Sequence, residues 1–194
     1  SVWSVGFNNH GQFGVGNKTT YYLPIQMYDE NWDILYGVKE IAAGRYHTVV
    51  LKEDNTVWTV GNNAGGVLGI GSKVTETYVI SQVKELVEKT DDSGDTEEQY
   101  ITDAKHITAA GDSTYVSRQK TLDGKNQGMY VFGWNVYGQL FTGDKVTKNY
   151  ATPVETDKDI LTMAMTRNRF YVAGDYNRQT GAIVDEDGKV YTVG

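Results

Sequence analysis

The chain has 194 residues, 39% of them hydrophobic, and carries a net charge of −7 with no cysteine. That length suffices for one domain with a buried core, and the composition excludes disulfide frameworks, thiolate metal sites and cysteine nucleophiles. The acidity argues against a duplex nucleic-acid partner, and no apolar run approaches the ~18 residues of a membrane span.

In chain order, Val2-Trp3-Ser4-Val5 reads as a short strand, followed by a glycine-rich turn with Gly6, Gly11, Gly14 and Gly16. Pro24 begins an extended segment and suits the first residue of an outer strand. Val38–Ala43 and His47–Leu51 make two strands around Gly44, and a polar turn at Lys52–Thr56 leads into the aromatic strand Val57-Trp58-Thr59-Val60. Gly61, Gly66, Gly69 and Gly71 then repeat the glycine turn. From Lys84 to Asp103 the chain carries eight acids against two lysines, so most of the net charge is local. With Ser93-Gly94-Asp95 at its middle, this insertion reads as a solvated loop, with a short helical turn over Val83–Lys89.

The pattern then returns. Ile107–Gly111 and Thr114–Val116 repeat the paired strands, Met129–Phe132 the aromatic strand, and Gly133, Gly138 and Gly143 the turn, with Phe141 in place of a glycine. Phe resists positive φ, so that turn is expected to differ in conformation. Pro153 repeats Pro24. A worn copy follows at Ile160–Thr166 and Phe170–Val172, then a hairpin at Asp185–Gly188 and a last aromatic strand, Val190–Val193. Glycines at offsets 0, +5 and +10 and Asn at +2 (Asn8, Asn63, Asn135) recur in three complete copies. Trp or Tyr stands three residues before each opening glycine, which places Trp3 and Trp58 in the core.

Internal repeats of this length, each with about four short strands, point to an all-β partial β-propeller of about three four-stranded antiparallel blades. The chain reads as one repeat domain, 1–194, with repeats over about 7–61, 62–133 and 134–194 and the acidic insertion at 84–103. The small Ala-Ala-Gly strands belong innermost, with Ala42, Ala109 and Ala164 on neighbouring strands. Three blades do not close a ring, so the remaining blades are expected from the same longer chain or from a second copy.

The stretch Ile41-Ala42-Ala43-Gly44-Arg45-Tyr46-His47-Thr48-Val49-Val50-Leu51, with the glycine turns, resembles the regulator of chromosome condensation repeat family of β-propellers, as a divergent, bacterial member. The resemblance implies a ring of typically seven blades that binds proteins through loops on its faces. The departures are Thr114 and Arg169 where His is expected and Thr166 where Gly is expected. Repeat structure rests on Gly6, Gly11, Gly16, Gly44, His47, Gly61, Gly66, Gly71, Gly111, Gly133, Gly138 and Gly143.

No catalytic constellation, cofactor motif or metal-ligand spacing appears. His47 reads as a buried hydrogen-bonding residue, His10 and His106 are isolated, and the acidic insertion lacks the glycine position and closing glutamate of a calcium loop. The reading is therefore a non-enzymatic scaffold for protein–protein interaction. Its candidate partner-binding residues are the loop aromatics Phe7, Trp134, Tyr137 and Tyr176 and the acids Asp91, Asp92, Asp95, Glu97 and Glu98. The alternatives are guanine-nucleotide exchange on a small GTPase, which the resemblance implies and for which the insertion is the natural wedge, or a surface glycan-binding module. The richness in Tyr, Thr and Asn suits a bacterial secreted or cell-surface protein, with another protein as partner and no nucleic acid or membrane insertion.

Overall fold

Strands whose residues are apolar at every position must be buried on both faces, and the runs Val49-Val50-Leu51 and Met129–Phe132 meet that condition. The computed structural model describes residues 1–90, 93–124, 128–156, 158–167 and 179–193. Fifteen strands are assigned among them: β1 (Trp3–Gly6), β2 (Tyr21–Gln26), β3 (Val38–Ala43), β4 (His47–Lys52), β5 (Val57–Asn62), β6 (Glu76–Gln82), β7 (Lys84–Glu88) and β8 (Thr96–Tyr100) in the first half. The second half holds β9 (Ala104–Ala110), β10 (Ser113–Arg118), β11 (Met129–Gly133), β12 (Lys148–Val154), β13 (Ile160–Arg167), β14 (Gln179–Asp185) and β15 (Val190–Val193).

They form four sheets: β1-β2, β3-β4-β5-β6, β8-β7-β12-β11-β10-β9 and β13-β14-β15. Two of them contain a complete four-stranded antiparallel blade, β3–β6 and β9–β12, and the chain is a partial β-propeller. Its core lies between blades. Val49, Leu51 and Val57 pack against Val116, Tyr130, Phe132 and Ala151 of the next blade. Val50 and Val60 face the other way, towards Val2 and Met27. Tyr115, Met129 and Val131 meet Ile160 and Ile183. One strand thus feeds two cores, which is why its apolar run is unbroken.

The Ala-Ala-Gly strands are innermost. β9 lies between β3 and β13, so Ala42, Ala109 and Ala164 sit on neighbouring inner strands. Glu40 ties two of them together, its Oε1 lying 2.5 Å from His106 Nδ1 and its Oε2 accepting the Ile107 N–H at 3.0 Å. His106 is therefore not isolated. Lys105 reaches Asp159, at the entrance to β13, over 2.7 Å.

Several expectations need correction. Among its described residues the acidic insertion is mostly strand, not a loop with a helical turn. It folds as the β7–β8 hairpin, with Lys84 opposite Tyr100 and Glu88 opposite Thr96, and β7 runs parallel to β12 through Ala151 and Glu85. The partners that hold it come from distant strands: Tyr130 donates to Glu85 at 3.0 Å, and Tyr150 donates to Glu98 at 2.7 Å. Trp3 is 57% exposed, because β1 pairs on one side only, with β2, whereas Trp58 packs against the core between β4 and β6. Pro24 and Pro153 do lie on outer strands, but inside β2 and near the end of β12 rather than at their starts. A residue without an N–H fits there where its nitrogen points away from the neighbouring strand. The turn at Phe141 keeps the glycine conformation, with φ of +61° beside +61° at Gly14 and +64° at Gly69. Its ring packs against the core of Tyr115, Met129 and Leu140, which holds the strained backbone in place.

Candidate functional site

The loops that follow β1, β3, β5, β9 and β11 emerge on one face, and three of them are shaped by the same asparagine. Asn8, Asn63 and Asn135 are buried, and each accepts the backbone N–H five residues on, from Phe13 (3.0 Å), Leu68 (3.0 Å) and Leu140 (2.9 Å). Their amide groups donate to Asn17, to Gly71 and Val74, and to Asp144. Every glycine at offsets 0, +5 and +10 has positive φ, so Gly11, Gly66 and Gly138 take the same left-handed bend. The Asp144 carboxylate that closes the third loop is held down to about 2, first by Lys148 and then by the Thr142 hydroxyl and the Val146 N–H.

Behind these loops, the repeat signature forms an interblade latch. A Cβ on Gly44 would coincide with the His47 ring, so the glycine is what lets the imidazole lie flat against the turn. His47 Nε2 is 3.0 Å from Thr114 Oγ1 in the next blade, and Thr114 itself donates to Val67 O at 2.9 Å. Burial alone pushes the imidazole down from 6.5 to about 4, so it is neutral at pH 7.

Between the loops lies a recess of about 530 Å³, lined by His10, Arg45, Tyr46, Asn62, Ala64, Asp112, Trp134, Val136, Tyr137 and Gln139. Trp134 lies over Gly65 of the neighbouring blade and donates to Ala64 O at 3.2 Å. Tyr46 stands at the centre, its ring 4.5 Å from His10, 6.5 Å from Phe7 and 4.7 Å from the Arg45 guanidinium. The polar groups of the walls are largely engaged with one another. Gln139 Oε1 accepts the Tyr137 N–H at 3.0 Å, Asn62 Oδ1 accepts the Ala64 N–H at 2.7 Å, and Arg45 lies 3.5 Å from Asp112. What the rim offers outwards is aromatic and aliphatic: Phe7 is 53% exposed, Trp134 39%, Val136 40% and Tyr137 41%. Among the described residues no group of three or more His, Asp or Glu is placed to hold a metal ion.

The structure therefore brings Trp134 and Tyr137 together on the recess, with Phe7 outside its lining, beside Tyr46. Asp95, Glu97 and Glu98 lie elsewhere, on the outer-rim hairpin, and Tyr176, Asp91 and Asp92 lie outside the described residues. Sequence reasoning passed over Arg45, Tyr46, His10 and Val136. A signal existed for two of them, because Arg45 and Tyr46 are the variable positions between Gly44 and His47, where a tight turn projects its side chains outwards.

The description "Regulator of chromosome condensation (RCC1) repeat" matches residues 1–51 and again residues 38–66. The regulator of chromosome condensation of Drosophila melanogaster is 31% identical over 143 residues, covering 74% of this chain and 22% of that protein. The ultraviolet-B receptor UVR8 of Arabidopsis thaliana is 28% identical over 145 residues, covering 74% of this chain and 27% of the receptor. The probable E3 ubiquitin-protein ligase HERC6 of Homo sapiens is 25% identical over 194 residues, covering 100% of this chain and 16% of the ligase. Among solved structures, human WBSCR16 superposes with a TM-score of 0.67 at 19% identity, over 99% of this chain and 42% of that one. Prp20p of Saccharomyces cerevisiae gives 0.61 at 16% identity, over 98% and 40%. The chain thus spans about a quarter or less of the length of these curated relatives.

Proposed function

From the premise that this chain is a member of the regulator of chromosome condensation repeat family, we propose that it is a non-enzymatic propeller scaffold that docks another protein on its loop face. One observation carries the reading. Tyr46, Trp134, Val136 and Tyr137, from two separate loops, line one recess whose polar walls are largely spent on each other, and Phe7 of a third loop stands beside Tyr46. Such a surface recognises an apolar or aromatic side chain better than a sugar, which needs unspent hydrogen-bonding groups. Prp20p, which shares the fold, is described with binding to Gsp1p and histones; a protein partner for this chain is in keeping with that. Residues 1–194 act in this reading as one repeat domain, completed by further blades.

A photo-crosslinking residue at position 137, compared with one at position 122 in the loop between β10 and β11, tests the proposal. Support is a protein adduct from position 137 alone, lost on Trp134→Ala. Equal adducts from both positions, or retention on a glycan array in place of a protein adduct, overturn it. Should the captured partner be a small GTPase, nucleotide release measured with and without the chain separates docking from exchange.

A further inference from the structure

The β7–β8 hairpin extends a blade that is already complete with four strands. It is firmly held: besides the tyrosine hydroxyls on Glu85 and Glu98, Lys84 Nζ reaches Glu98 Oε2 at 2.6 Å and lies over the Tyr100 ring. β8 is thus a regular strand, in register with β7 along its whole length, yet it is the last strand of its sheet and all five of its residues are exposed. Two other outer strands carry a proline, and a third, β6, already accepts the Gly16 N–H on Tyr78 O at 3.0 Å. β2 contains Pro24, and β12 contains Pro153 and is covered by β7. β8, Thr96–Tyr100, has no proline, no glycine and no lysine. Its free side presents a row of backbone donors and acceptors to solvent.

Charge decides what such an edge accepts. The two hairpin strands carry Glu85, Glu88, Glu97 and Glu98 against Lys84 alone, and Glu97 makes no ion pair among the described residues. A second copy of β8 would set carboxylates against carboxylates, which is unfavourable across a strand pair. We propose that the free edge of β8 takes up an extended, lysine- or arginine-rich segment of a partner protein as an added strand, with backbone hydrogen bonds holding the segment and Glu97 and its neighbours selecting its charge. The surface is independent of the aromatic recess on the loop face.

The probe is a short fluorescent peptide of alternating lysine and threonine, titrated into the 194-residue chain at low and moderate salt. Expected are binding that weakens with salt, slowed amide exchange confined to β8, and a loss of affinity of about tenfold or more when two adjacent central residues of the peptide are N-methylated. Glu97→Lys should weaken binding several-fold, and Trp134→Ala should leave it unchanged. Equal binding of the N-methylated peptide would reduce the effect to charge alone and overturn the proposal. Equal binding of a glutamate–threonine peptide, protection away from β8, or no binding at millimolar peptide would overturn it as well.

Discussion

His47 Nε2 and Thr114 Oγ1 are 3.0 Å apart across the boundary between two blades, and the direction of that bond follows from the next one. Thr114 has a single hydroxyl proton, which goes to Val67 O. The hydroxyl must therefore accept from His47, so the neutral imidazole carries its proton on Nε2. The register corrects the expectation that Thr114 stands in the place of His: Ser113 pairs with Gly133 as His47 pairs with Gly61, so Thr114, at the position of Thr48, is the receiving half of the latch set by the first repeat.

Thr114→Val keeps the shape but leaves His47 and the Val67 carbonyl without their buried partner. The expected loss is about 1–3 kcal/mol of folding stability, read from the urea midpoint. Thr114→Ser, which restores the hydroxyl, should recover most of it. A valine variant as stable as the parent chain would remove the latch from the account.

The same histidine sets a pH dependence. Its folded value is depressed from 6.5 to about 4, so the unfolded chain binds the extra proton first. Its contribution is fully present above pH 6.5 and is lost as pH falls through 6.5 towards 4, by about 3 kcal/mol in all. Urea midpoints measured across that window should fall more steeply for the parent chain than for His47→Gln. Parallel slopes would refute the assignment.

Phe141 predicts an inversion. With φ at +61°, both Phe141→Ala and Phe141→Gly lose the ring, but only alanine keeps the left-handed strain. The glycine variant should therefore be more stable than the alanine variant by about 1 kcal/mol, against the usual order. Paired thermal or urea unfolding decides it.

Gly65 and Trp134 form a coupled pair. Gly65→Ala places a methyl where the indole lies and forces a side chain into φ of +72°. In the parent chain it should shift the tryptophan emission and cost about 2 kcal/mol. In a Trp134→Ala background only the backbone strain of about 1 kcal/mol should remain. Additive costs would show that the indole does not rest on the glycine.

Much of this molecule was legible from one dimension because repetition removes ambiguity. Glycines at constant offsets report positive φ, Asn at +2 reports a loop that must satisfy its own amides, and paired alanines report a crowded inner strand. Phe141 misled because a local rule on φ ignores what the neighbouring core does for the ring. The acidic insertion misled for a similar reason: Tyr130, Tyr150 and β12, which hold the hairpin, are remote in sequence.

By itself the sequence determined the blade, its strand count, its inner strand and the bends of its loops, since these depend on contacts within a few residues and on backbone conformations only glycine adopts readily. Only the packing of blade on blade put Tyr46, Trp134 and Tyr137 on one recess and left β8 as an open edge. Those relations join residues from different blades, and the free energy that sets them lies in packing between sheets, which no local spacing encodes.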